Sequence, residues 1–236
     1  MSPSADLALL NLLQFADSAL PIGSQSHSFG FETLIAEEWL TVDRLEAFLH
    51  DYLFEIGALD GLFCRAAYAL TAQADLGRFE IDWRALNYRL SALRPARESR
   101  TASATLGRRF LALVVELAPN DTLYTALQTA KQTDVDLHHA SAFGLVGGVL
   151  GFDEEMTVLA YLQQMVTGLL SAVQKLLPIG QSQVIALRWH LKSALVAAAN
   201  RGRDADWRTT VVPSFGLLAE IAAMRHPQLP VRLFIS

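Results

Sequence analysis

The stretch Leu45-Glu-Ala-Phe-Leu-His-Asp-Tyr-Leu-Phe-Glu-Ile56 places Leu45, Phe48, Leu49, Tyr52, Leu53 and Ile56 three and four residues apart. That is the period at which side chains return to one face of an α-helix; a half-buried strand would alternate instead. Thr41 is a suitable cap just ahead of it. The same periodicity continues in both directions. Upstream, Leu7, Leu10 and Leu13, flanked by Leu9, Leu12 and Phe15, predict a first helix from about Asp6 to Asp17 that stops before Pro21. Ser28 is a candidate N-cap for a second helix with Glu32 in its first turn. Downstream, helices are predicted over about 57–76, 82–93, 96–117, 121–131, 135–150, 153–177 and 181–199. A polar loop over 200–210 separates these from a last helix, Ser214 to Arg225, which ends at Pro227. Gly144, Gly147 and Gly148 lie inside an apolar run, where each costs about 1 kcal/mol relative to alanine. Their presence there predicts close approach of another helix. The fold class is therefore all-α, a bundle of about ten helices with an extended C-terminal tail. No repeat and no Gly-, Ser- or Pro-rich linker divides it, so 1–236 reads as a single all-helical domain.

Composition agrees and narrows the functional classes. Apolar residues make up 52% of the 236, ample for the core of one domain this long. A net charge of −5 argues against a general nucleic-acid binder, which needs a basic excess. The charge is uneven, however: 84–110 holds seven arginines and one acid, Glu98, giving +6 there and −11 elsewhere. Cys64 is the only cysteine, which excludes an intrachain disulfide or a multi-cysteine zinc site and fits a reducing, cytoplasmic setting. The start of the chain lacks the basic residues, apolar run and small-residue cleavage site of a secretory signal. The most apolar stretches, Ala140 to Phe152 and Met156 to Leu177, are too short or are interrupted by Gln163, Gln164, Gln174 and Lys175. They read as buried core helices, with no membrane partner.

Little in the chain spells catalysis. No phosphate-binding loop occurs, and the serine-rich bend around His27 does not match a Gly-x-Ser-x-Gly elbow. Asp134 and His138 would share a helix face at i, i+4, a spacing able to hold one metal ion, with His139 about 100° away. Nickel or zinc at His138 and His139 is the functional reading; a helix-surface or dimer-contact pair is the plain one. Arg97, Arg100 and Arg108, with Arg94 and Arg109 beside them, approximate one helical stripe without interleaved acids. That stripe is either a solvated face or a contact for carboxylates or phosphates.

Two segments near opposite ends are not explained by core packing. Leu20-Pro-Ile-Gly-Ser-Gln-Ser-His-Ser-Phe-Gly-Phe-Glu32 is a small-residue bend. The run Met224-Arg-His-Pro-Gln-Leu-Pro-Val-Arg-Leu-Phe-Ile-Ser236 carries Pro227 and Pro230, which disfavour helix, and after Pro227 five apolar side chains, Leu229, Val231, Leu233, Phe234 and Ile235, that gain by burial. The tail should dock on its own domain or on another protein.

Those same residues resemble the UreF family of urease accessory proteins. The family's Leu-Pro-Val/Ile-Gly-Gly and Ser-x-Ser-x-Gly-Leu-Glu pattern is similar to Leu20 to Glu32, with Ser24 in place of the second glycine and Phe31 in place of leucine. Arg97-Glu98-Ser99 with Gly107-Arg108, and Lys175-Leu-Leu-Pro-Ile-Gly-Gln181, resemble two internal blocks. His226 followed by Arg232-Leu-Phe-Ile-Ser236 is similar to the family's His…Arg-Leu-Phe-Met-Ser ending. Four blocks in order cover most of the chain.

The resemblance implies a homodimeric, non-enzymatic helical chaperone of urease maturation. It would sit between UreD (UreH in some species) and the nickel-carrying GTPase UreG and help deliver nickel to apo-urease, holding no stable cofactor itself. On this reading Glu32, Arg97, Arg100, Lys175 and Gln181 lie on or under the UreG-facing side. Arg232, Leu233, Phe234, Ile235 and Ser236, with the last helix, form the UreD-facing surface. GTP hydrolysis by UreG could be tuned by an inserted arginine or by a conformational gate, the gate suiting a helical stripe better. Three competing classes are an adaptor unrelated to nickel, an enzyme using Ser24 to Ser28 with His27, and a nickel binder using His138, His139 or His226.

Overall fold

An eleven-residue helix, α8 (His139–Val149), is the axis around which the other elements are laid. Its residues from His139 to Gly147 are all buried, as expected of a helix apolar all round. α4 (Ala58–Leu70), α6 (Arg97–Leu117) and α9 (Glu154–Leu176) pack on it. The contact with α4 is very close: a Cβ at Gly144 would stand 1.8 Å from the Cys64 carbonyl oxygen. Gly147 and Gly148 similarly abut Thr157 and Thr71, so the glycines do mark close helix approach. The computed structural model describes residues 5–210 and 216–236, and these contain helices and turns but no strand.

The remaining elements enclose this centre. α1 (Ala5–Phe15) lies against α9, and α2 (Phe31–Ala36) between α9 and α12 (Leu217–Arg225). α3 (Leu45–Tyr52) passes through a π-helical turn, Leu53–Gly57, directly into α4. α5 (Leu76–Ala92) joins α4 to α7 (Asp121–Thr133), while α10 (Gln181–His190) and α11 (Lys192–Arg201) lie on α9. Asp153 caps α9 by accepting from the Met156 amide at 2.9 Å, and Asn120 caps α7 in the same way through Thr122. By length and composition α9 could cross a membrane, yet 56% of its most apolar window is buried inside the fold. It is a core helix here.

Several sequence expectations need correction. The second helix starts at Phe31 after Gly30, not at Ser28, because Gly30 takes φ 89° and lies against α12. A Cβ there would meet the Ala219 carbonyl at 2.3 Å, so only glycine fits the turn. α5 starts at Leu76, six residues before the expected Asp82, because Asp75 caps it through the Gly77 amide. The expected helix over 181–199 is two, hinged at the buried Leu191. Asp134 does not open a helix. At φ 53° it ends α7, which a short polar side chain tolerates, and the chain stays non-helical until His139. The expected start of the last helix at Ser214 lies outside the described residues; its described span begins at Leu217.

Candidate functional site

The bend near the start and the tail at the end, singled out separately above, are in contact. α2 brings Glu32 inward, 5% exposed, facing the segment that leaves α12. One carboxylate oxygen accepts from the Leu233 amide at 2.6 Å. The other accepts from His226 Nε2 at 2.7 Å and the Phe234 amide at 3.2 Å. With a carboxylate as its partner, Nε2 is the nitrogen of His226 that donates. Beyond this point the Ile235 amide donates to Ser26 O at 2.9 Å and the Ser28 amide donates to Ser236 O. Ser236 Oγ and His27 Nδ1 are 2.8 Å apart. Lys175, near the end of α9, places Nζ 5.3 Å from the centre of the Phe234 ring and 3.4 Å from Gln25 O.

The tail leaves the helical body as a non-helical segment, with a local bend at Leu233 and Phe234 where two successive amides turn to one carboxylate. Phe234 and Ser236 are buried by this turn. Val231, Leu233 and Ile235 face out, 82%, 61% and 71% exposed, and Arg232 is exposed among them. α12, from which the tail departs, also shows Leu217, Leu218, Ile221 and Met224 outward. Arg225 at its end pairs with Glu37 of α2 at 2.8 Å.

Below the bend lies a cavity of about 50 Å³ whose lining includes His27, Tyr52, Asp60, Arg94, His139 and Gln164. Asp60 is ion-paired with Arg94 and accepts from Tyr161 Oη at 2.7 Å, all three buried. Burial disfavours the Arg94 cation, but Asp60 together with Tyr161, Tyr52 and Glu220 more than offsets it and holds the guanidinium protonated. Burial and then the Asp60 charge push the Tyr161 hydroxyl well up. His27 is pushed down, first by burial and then by Arg109. The Ala96 amide donates to Glu220 Oε2 at 2.7 Å, fastening the start of α6 to α12.

The other expected site residues divide. Glu32 and Lys175 meet at the tail, and Gln181 is joined to the same end of α9 through Gln174 Nε2 at 2.7 Å. Arg97 and Arg100 sit apart, at the start of α6. The arginines do not form one free stripe: Arg94 is buried on Asp60, Arg100 donates to the carbonyls of Arg94 and Pro95 at 2.6 and 2.9 Å, and Arg109 donates to Ile22 O at 3.3 Å. Arg97 and Arg108 are exposed.

His138 and His139 are neither a helix-surface pair nor placed to share a ligand with Asp134, since no helix connects them. His138 is fully buried between Ser91 Oγ, 2.8 Å from Nε2, and Ser103 Oγ, 3.1 Å from Nδ1. Its pKa is held well below the usual value by burial and then by Arg94 and Arg100. His139 is pushed down to about 4 by burial alone. Among the described residues no group of three or more His, Cys, Asp or Glu side chains could hold a metal ion.

Asp60, Tyr161 and Glu220 were missed. A lone acid inside an apolar helix, as in Ala58-Leu-Asp-Gly-Leu62 and Leu217-Leu-Ala-Glu-Ile221, was the available signal, because a buried acid requires a partner.

Comparison with known proteins gives this arrangement a context. The profile of the UreF family matches residues 40–192. A urease accessory protein UreF of Geobacillus kaustophilus (strain HTA426) is 34% identical over 98% of this chain and 99% of its own. Proteins of the same name from Lachnoclostridium phytofermentans and Corynebacterium glutamicum (strain R) are 32% and 31% identical. They cover 98% and 100% of this chain and the whole of their own lengths.

Proposed function

This chain belongs to the UreF family of urease accessory proteins, and we propose that it is a non-enzymatic adaptor of urease maturation. It binds UreD (UreH) through its tail and α12 and recruits the GTPase UreG, so that the assembly delivers nickel to apo-urease in the cytoplasm. The observation that carries this reading is the tail itself. A segment tied to the body by hydrogen bonds to Glu32, Ser26 and Ser28 nonetheless turns Val231, Leu233 and Ile235 to solvent. Burial of each such side chain is worth about 1.5 to 3 kcal/mol, and an apolar ridge of this kind marks a contact surface.

UreG is met by a surface that adjoins the tail at Lys175 and Gln181 and by Arg97 at the start of α6, with nickel carried by the assembly and no cofactor resident in this chain. The protein acts as a homodimer, and its effect on GTP hydrolysis is a conformational gate, a role that a helix-borne stripe with Arg100 tied to its own backbone suits better than an inserted arginine. Co-purification of the tagged chain with UreD and UreG, followed by size-exclusion chromatography with light scattering, tests the assignment. The expected result is a UreD complex that then recruits UreG, lost when residues 227–236 are removed. A lone species that ignores both partners, or unchanged UreD capture by the shortened chain, rejects it.

A further inference from the structure

The geometry points to Glu32 as a positioning residue: its carboxylate anchors the tail and fixes which tail side chains face outward, and it is not itself a contact for a partner. A carboxylate offers about four acceptor positions. Three of these are occupied within the chain, by the amides of Leu233 and Phe234 and by His226 Nε2, and the side chain is shielded from solvent. A partner's arginine or lysine could reach Glu32 only by first displacing the tail.

The anchor also sets register. Because both amides of one bend converge on Glu32, Phe234 turns inward beneath Lys175 while Leu233 and Ile235 turn outward. A slip of one residue would exchange these roles, as it does along a strand. The remaining ties, Ile235 to Ser26 and Ser236 to Ser28 and His27, come from the bend just before α2. The bend and α2 thus form one template for the tail. Glu32 is its central fixture, because it grips both the root of the tail, at His226, and its turn. The consequence for partners rests on the reading of the tail as the UreD-facing surface; the anchoring itself does not.

Hydrogen–deuterium exchange over 229–236 in the full-length protein reads the anchor directly. Glu32→Ala is expected to speed exchange at the Leu233 and Phe234 amides at least tenfold. The isosteric Glu32→Gln, which keeps the packing and one acceptor, should fall between it and the parent. Unchanged exchange in both variants overturns the proposal. A second comparison uses full-length His27→Ala, which loosens the tail at Ser236 while keeping Glu32. UreD capture should fall with tail exchange along one relation in His27→Ala and Glu32→Ala. A loss of capture in Glu32→Ala tenfold beyond what its tail exchange accounts for would show direct contact and defeat the idea. If Glu32→Ala frees the tail yet UreD capture is undiminished, the anchor stands and the UreD-facing reading of the tail fails.

Discussion

The crossing of α4 with α8 and the seat of the tail are both rich in leucine, phenylalanine and small residues, yet they are held together differently. At the crossing, backbones approach until Gly144 lies on Cys64, and surrounding apolar side chains such as Phe63, Leu145 and Val146 are almost wholly buried. At the tail, one aromatic ring is buried and polar bonds to Glu32, Ser26 and Ser28 supply the rest, while apolar neighbours face water. Close packing leaves no alternative arrangement of similar energy. A segment held by a few hydrogen bonds, each worth about 1 kcal/mol net, opens locally without unfolding the domain. The first region fixes the fold; the second can exchange one set of contacts for another.

The largest test of this contrast is Asp60→Ala. It leaves Arg94 buried without its partner and should cost about 3 to 5 kcal/mol, read as a lowered midpoint in denaturant. Two phenylalanine truncations sharpen it. Phe110→Ala, in the core against Phe143 and Phe15, should cost about 3 to 5 kcal/mol. Phe234→Ala should lower global stability by only about 1 kcal/mol while raising tail exchange, because local opening already limits what the tail contributes. Equal losses for the two would abolish the distinction. Gly144→Ala should follow at about 3 kcal/mol, since the added methyl has backbone in its way.

Acid should weaken the core. His139 titrates at about 4 in the folded chain against 6.5 unfolded, so the unfolded state binds the extra proton between these values. Stability is then full above pH 6.5 and falls as pH drops toward 4, by roughly 2 to 3 kcal/mol from this group. His138 adds to the loss in the same direction. A His139→Gln variant should show a flatter decline in a pH series of denaturant melts; an unaltered slope would count against the assignment.

Much of the fold was written in local pattern. The apolar spacing from Leu45 to Ile56, the acids at Asp153 to Glu155 and the prolines at 119 and 178 placed helices to within a few residues. What failed locally was ambiguity of single residues: Asp134 can open a helix or close one, and only the conformation of the chain around it decides. The candidate site was half legible. Both of its segments stood out because core packing did not explain them, but their contact spans some 200 positions and no periodicity encodes it. The pairing of Asp60 with Arg94 was hidden for the same reason, and with it the fact that an apparently free arginine was already engaged.

The distance along the chain between Ser28 and Ser236, which share a hydrogen bond, has a consequence for biosynthesis. Ribosomes add roughly 5 to 20 residues each second, so the bend emerges many seconds before the tail that it receives. During that interval the bend and Glu32 are present but their guest is not, and the outward ridge of Val231, Leu233 and Ile235 does not yet exist. The ridge is therefore assembled late, on a seat that is already in place.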